Sequence, residues 1–450
     1  MKKTLWDKSA KGLSSERDAV QDFTVGEDRH WDLFLAKFDV LGSIAHTKML
    51  AKVGLLTAEE AATLCKGLVA IHSEIEAGSF VLQDGVEDVH SQVEMLLTER
   101  LGEVGKKIHM ARSRNDQVLV DIKLYLRDEL EGIVGASSKL FELLLSQSEK
   151  HKADLMPGYT HMQLAMPSSF GLWFGAYAES LVDDLLVLQS AFEVVNKNPL
   201  GSAAGFGSSF PIDRKLTTKL LGFSDLSYNV VYAQMGRGKV ERLVASSLAN
   251  IADTLSRMSM DVCLFLNQNF SFIEFPDDLT TGSSIMPHKK NPDVFELIRA
   301  RCNRLKALPN EIMMMTSNLP SGYHRDLQLL KEHLFPAFAE LKQCMAMAEM
   351  MLSQVKVRKD LLTSVEYQYL FSVEEVNRLV LQGIPFRDAY RQVGEAIEAG
   401  KFKVTSTVLA HTHEGSIGNL SHADVRARMT KVLGQFSFAT VHSAFAELLK

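Results

Sequence analysis

Cysteine is scarce in this chain: four in 450 residues, Cys65, Cys263, Cys302 and Cys344, each standing alone. Isolated thiols exclude a disulfide framework and the close pairs of a zinc site, and a reducing cytoplasm is their natural setting. Aromatic residues make up only 8%. No stretch approaches the ~18 uninterrupted apolar residues of a membrane span, so no membrane is expected. The N-terminus, MKKTLWDKSAKGL, has two lysines but no apolar core behind them, unlike a signal peptide. Dense Lys/Arg runs are missing too, and a net charge of -6 argues against a nucleic-acid surface. Neither GxxxxGK nor GxGxxG occurs, and His46, His72, His90 and His161 lack metal-ligand spacing. The expectation is neither a metal nor an organic cofactor.

What is present favours helix. Leucine, alanine, glutamate and methionine are frequent. Lys239 to Phe270 contains no Gly or Pro, and Leu248, Ile251, Leu255, Met258, Val262 and Phe265 alternate steps of three and four. Leu126, Leu130, Ile133, Leu140 and Leu144 keep the same frame, interrupted by Ser137, as do Leu181, Leu185, Leu188, Phe192 and Val195. A further helix is expected from Pro292, with Val294, Leu297, Ile298, Arg301 and Leu305 on one stripe. Such helices build an elongated bundle. The length suggests about three domains: 1–111 mixed helical, 112–364 the long-helix bundle, 365–450 a small helical region. Seams this wide and apolar are usually buried against other subunits, so an oligomer is expected.

Polar islands interrupt the helices. In TGSSIMPHKKNP (281–292), Asn291 and Pro292 have the character of an N-cap and a first helical residue. A helix N-terminus with Lys289 and Lys290 beside it suits a carboxylate, Gly282 permits close approach, and Ser283 and Ser284 offer hydroxyls. A solvated basic loop capping a helix would read the same way. In MPGYTHMQLAMP (156–167), Pro157, Gly158 and Pro167 mark a non-helical link holding Thr160, His161 and Gln163. His161 is a structural hydrogen-bonder unless something orients it, and Glu296 is the candidate. In HMARSRNDQV (109–118), Arg112 and Arg114 are forked donors for carboxylates, and Asn115 and Asp116 are N-cap types. In SGYHRDLQLLKE (321–332), Tyr323, Gln328 and Lys331 converge only if the loop folds back on a ligand.

GSSIMPHKKNP resembles the shared motif of the aspartase/fumarase superfamily, whose members release fumarate. SRNDQV, GYTHMQLAMP, NPLGSAAGFGSSFPIDR, ELIRAR, RDLQ and GIPFRD narrow the resemblance to the argininosuccinate lyases and their lens relatives, the delta crystallins, over about Asp32 to Val393. The resemblance implies an all-α, three-domain subunit whose long helices form a twenty-helix core in a homotetramer. Each active site would then draw loops from three subunits. It also implies reversible elimination of argininosuccinate to fumarate and arginine through an aci-carboxylate intermediate, without a cofactor. Ser283 would handle the carbon-bound proton, His161 paired with Glu296 would act on the opposite side, and Lys289 would stabilise the intermediate. Asn115, Thr160, Asn291, Tyr323, Gln328 and Lys331 match substrate-contacting positions, and Arg114, Arg237 and Asp88 match positions near the site.

The pattern is broken in places. Trp6-Asp7-Lys8 stands for the usual WGGRF, Asp28 for a substrate-binding serine, and Met110-Ala111 for Thr-Gly. Val230, Gly236, His288, Leu329-Leu330 and Tyr390 also depart. The rival expectations are a sister lyase acting on adenylosuccinate, aspartate or malate, and a crystallin-like structural protein.

Overall fold

The computed structural model describes residues 15–282 and 284–450. Trp6, Asp7, Lys8 and Ser283 therefore lie outside the described residues. Helices α1 (Ser15–Val25), α2 (Asp28–Asp32), α3 (Ala36–Lys52), α4 (Ala58–Glu76) and α5 (Val89–Leu101) precede the 37-residue α6 (Arg114–Lys150). After it come α7 (Phe170–Val195), α8 (Arg214–Leu220), α9 (Val230–Met235), α10 (Lys239–Leu266), α11 (Asp293–Leu305), α12 (Leu308–Met315) and α13 (Leu330–Ser353). Helices α14 (Ser372–Leu381), α15 (Phe386–Glu398), α16 (His422–Leu433) and α17 (Phe438–Leu448) complete the chain. The strands described form two-stranded pairs: β1 (Leu155–Thr160) with β2 (Gln163–Ser169), β3 (Lys197–Asn198) with β4 (Asp225–Leu226), β5 (Ile273–Glu274) with β8 (Lys356–Val357), and β6 (Thr281–Gly282) with β7 (Lys290–Asn291).

The fold is mainly helical, and the seams read from spacing are its core. Leu126, Leu130, Ile133, Leu140 and Leu144 of α6, and Leu181, Leu185, Leu188, Phe192 and Val195 of α7, are buried, as are Leu248, Ile251, Leu255, Met258 and Val262 of α10. Ser137 does not break the seam, because its hydroxyl donates to Met345 Sδ at 3.4 Å across the contact with α13. Helix α6 packs on α7 and α13, α7 on α10, and α10 on α11, α12 and α13.

Two local expectations are corrected. The cap of α6 is Ser113, and Asp116 sits at the third helical position of a capping box, returning a bond to the Ser113 N–H at 2.9 Å. Its other oxygen accepts from Gly201 and Ala203 N–H at 3.0 and 2.9 Å, so Asp116 is a structural anchor. Helix α11 begins at Asp293, because Asn291 is held in the β6–β7 pairing and its side chain donates to Thr281 Oγ1 at 3.3 Å. The inward stripe of α11 is Phe295, Ile298, Cys302 and Leu305, and Leu297 is 58% exposed.

Around the bundle, α3 packs on α4 and α6, and α2 packs on α13. Helices α14 and α15 close a separate small core of Val376, Ala389, Val393 and Phe402, while α16 returns to α7 and α17 to α3 and α8. Among the described residues, no helix is long and apolar enough to cross a membrane.

Candidate active site

A cleft of about 220 Å³ opens where α2, the start of α5, the start of α6 and the segment before α13 meet. Seven residues singled out from sequence line it: Asp88, Arg114, Asn115, Arg237, Tyr323, Gln328 and Lys331. Local chemistry places each. Asp88 is the N-cap of α5, accepting the Ser91 N–H at 2.7 Å, and its other oxygen pairs with Arg114 Nη1 at 2.9 Å. Arg114 is the first residue of α6 and also donates to Ser91 Oγ at 2.6 Å. Burial raises the Asp88 carboxyl, but the positive charges of His90 and Arg114 outweigh it and hold the group below its usual range.

Arg237 is buried where α9 turns into α10. Its Nε pairs with Glu241 at 2.7 Å and Nη2 donates to the Leu327 carbonyl at 2.8 Å. The turn depends on Gly238, at φ +76, where a Cβ would lie 2.6 Å from Thr316 Cγ2. By gripping Leu327, Arg237 fixes the loop that carries Tyr323 and Gln328. Gln328 donates to the Thr24 and Val25 carbonyls at 3.0 and 3.2 Å, which ties that loop to the end of α1. Tyr323, Gln328 and Lys331 of the 321–332 segment thus line one cleft.

Lys331 is buried between two carboxylates, 2.7 Å from Asp32 and 2.8 Å from Asp28. Burial disfavours its charge, but Asp32 and Asp28 more than compensate and leave the ammonium harder to deprotonate than usual. Asp32 also accepts the Val89 N–H at 2.8 Å. Asp32 and His90 are lining residues that the motifs did not reveal. No sequence spacing pointed to either, since Asp32 ends α2 and His90 lies in the first turn of α5.

Behind the cleft His90 Nδ1 meets Asp39 Oδ1 at 2.8 Å and Asp121 Oδ2 at 3.5 Å, all three side chains buried. Burial works against the imidazolium, yet Asp39, Asp88 and Asp121 push its pKa up to about 10. Burial and the Asp39 charge hold Asp121 well above the usual carboxylate range. The donor atoms of this trio lie within 4.8 Å of one another, a proximity no sequence spacing disclosed. With Nδ1 directed at Asp39 and close to Asp121, the trio is arranged as a buried ion pair.

The consequence is a pH-dependent stability. The folded-state pKa of His90 exceeds the reference value of 6.5, so its contribution is complete below pH 6.5 and fades as pH climbs through about 10. Urea unfolding across pH 6 to 10 should show a loss on the order of a few kcal/mol toward the alkaline end. That slope should flatten in His90→Gln, and an equal slope in the variant would remove His90 as its source.

The remaining described candidates lie elsewhere on the chain. Thr160 ends β1, and His161 with Met162 forms the two-residue turn into β2, at φ +54 and +59. Two side-chain-bearing residues in this left-handed region cost roughly 1–2 kcal/mol each, strain that holds an exposed His161 at a hairpin tip. His161 borders a different hollow, lined by Tyr159, Trp173, Phe265 and Phe270. Lys289 and Asn291 belong to the β6–β7 loop, where Lys290 pairs with Asp277 and Thr281 bonds Asp293. Lys289 and Glu296 are exposed. Ser283, in the same loop, lies outside the described residues. Among the described residues, His161, Lys289 and Glu296 thus do not line the cleft. Of the departures from the family pattern at described positions, only Asp28 lines it.

Residues 14–306 match the protein family described as Lyase. The argininosuccinate lyase of Phocaeicola vulgatus is 58% identical over 449 residues, covering all of both chains. That of Thermotoga neapolitana is 38% identical over 395 residues, 88% of this chain and 98% of the relative. Among solved structures, an EDDS lyase variant with bound fumarate superposes with a TM-score of 0.77 at 22% identity, covering 98% of this chain and 94% of that one.

Proposed function

The chain belongs to the family of the argininosuccinate lyases, and from that premise we propose that it eliminates argininosuccinate to fumarate and arginine, reversibly and without a cofactor. The observation that carries the proposal is the cleft itself. Residues spread from Asp88 to Lys331 converge there in a chain 58% identical, end to end, to a lyase of that name.

The residue types suit the reaction. A base removes the proton from the carbon beside the carboxylate that does not share the C–N carbon, and charge builds on that carboxylate as an aci-carboxylate. Lys289 and the free N–H groups at the start of α11 supply preorganised positive charge, with a lost donor costing on the order of 3 kcal/mol. Ser283 is the proton-handling group on that side, its anion made less unfavourable by the same charges. His161 protonates the departing guanidine, with Glu296 stabilising the imidazolium.

These groups meet the cleft only between subunits. Support comes from their separation within one chain and from the exposed apolar residues along the long helices: Leu186 and Val187 on α7, Met260 on α10, Leu297 on α11, and Met347 and Met350 on α13. A homotetramer with each site built from three subunits accommodates both. Four free thiols suit a cytoplasmic location.

The test is direct. Purified protein given argininosuccinate should generate fumarate, followed by ultraviolet absorbance, and should form argininosuccinate from fumarate and arginine. Turnover of adenylosuccinate or aspartate instead would make it a sister lyase, and no turnover of any would leave the crystallin-like role.

A further inference from the structure

The cleft has a neighbour. A cavity of about 280 Å³ lies between the start of α10 and the loop before α13. That loop borders both spaces: Tyr323, Arg325 and Gln328 line the cleft, while Gly322, His324 and Leu327 line the cavity. Apart from Arg237, which lines both, no residue of the cavity belongs to the candidate site.

The charge of this cavity is one-sided. Lys239 and Arg242 stand on its wall, and among the described residues no carboxylate lines it. The acid beside them in sequence, Glu241, is engaged by Arg237 Nε at 2.7 Å and by the Gly238 N–H at 2.7 Å. Arg242 is half-buried, and among the described residues no hydrogen bond or ion pair engages its guanidinium. Lys239 Nζ lies over the Tyr232 ring, 5.4 Å from its centroid, and has no carboxylate partner among the described residues. A half-buried cation without a partner is costly, and like charges one helical turn apart repel. An anion between the two would relieve both.

The spacing selects the anion. Residues three apart share a helix face, with Cβ atoms roughly 5–6 Å apart. Lys239 and Arg242 can therefore serve one point, at the positive end of the 28-residue α10. A compact dianion fits that arrangement, whereas a dicarboxylate divides its charge between two ends. Met235, Leu319 and Pro320 add an apolar wall that suits an organic body beside the charge. We propose that this cavity is a binding site for a phosphate monoester, held by the Arg242 fork and the Lys239 ammonium. It is separate from the substrate cleft and does not rest on the lyase reading.

The test is calorimetric titration of the full-length protein with glycerol 3-phosphate, inorganic phosphate, succinate and glycerol. Wild type should bind the ester most tightly, inorganic phosphate less tightly, succinate about 10-fold or more weakly than the ester, and glycerol not at all. Arg242→Gln should weaken the ester about 10- to 100-fold, the range of one charge-assisted bond. Lys239→Gln, on a more exposed cation, should weaken it about threefold. Asn115→Ala, which alters the cleft instead, should bind the ester as wild type does. Absence of ester binding by wild type overturns the proposal, as does unchanged binding in folded Arg242→Gln. Loss of binding in Asn115→Ala would put the ester in the cleft and overturn it too. Succinate or inorganic phosphate bound as tightly as the ester would overturn the choice of a phosphate monoester. With no partner of Arg242 to lose among the described residues, Arg242→Gln is expected to fold. Fumarate formation is a separate readout, so failure of the lyase reading leaves these titrations unaffected.

Discussion

Replacing Ser283 by alanine lowers kcat by a factor of about 10²–10⁴, the usual contribution of a positioned proton-transfer group, while the oligomer stays intact. The expectation comes from what surrounds position 283. Gly282 is paired with Lys290 across β6 and β7, and Lys289 and the start of α11 follow closely in sequence. In the proposed mechanism the lysines and the helix start make the serine anion less unfavourable. His161→Asn should produce a loss of similar size from the other face of the substrate. Steady-state fumarate release, with gel filtration to confirm assembly, checks both. Near-wild-type turnover in either variant removes that residue from the mechanism.

A mixture of two crippled variants should be more active than either parent. His161→Asn damages the hairpin tip and leaves the cleft whole. Asn115→Ala damages the cleft and leaves the tip whole. If every site takes its cleft from one subunit and its hairpin from another, random co-assembly gives about a quarter of the sites both intact parts. Co-expressed and purified mixed oligomers should therefore recover about a quarter of wild-type turnover. Mixed oligomers confirmed by mass yet as inactive as their parents would mean that each site is built within one chain. The placement of the residues argues for the shared site: Asn115 lines the cleft and His161 borders a separate hollow beside Trp173 and Phe265.

The long seams were legible because helical periodicity is a local property. Leu248, Ile251, Leu255 and Met258 repeat every three or four residues whatever packs on them, and all are buried. The link at 156–167 was legible from Pro157, Gly158 and Pro167, although its hairpin form was not. Helix α13 was legible only as an amphipathic start near 321–332, because Pro336 lies inside its first two turns, where proline usually signals a break. The inward stripe of α11 was misplaced because which face turns inward is set by α10 and α13, which lie outside the window in which periodicity is counted.

The sequence by itself determined the chemistry on offer: a loop with two lysines before a helix, a histidine between prolines, an arginine-rich start to α6, and a family likeness carried by their motifs. The tertiary structure alone decided which of these share a site. Helix α2 packing on α13 brings Asp28 and Asp32 to Lys331, and Arg237 reaches Leu327 to steady the loop of Tyr323 and Gln328. Contacts between residues about 300 positions apart depend on how whole helices pack, and no local spacing encodes that. The same packing leaves His161 and Lys289 off the lining of the cleft, and helical spacing could not have shown it.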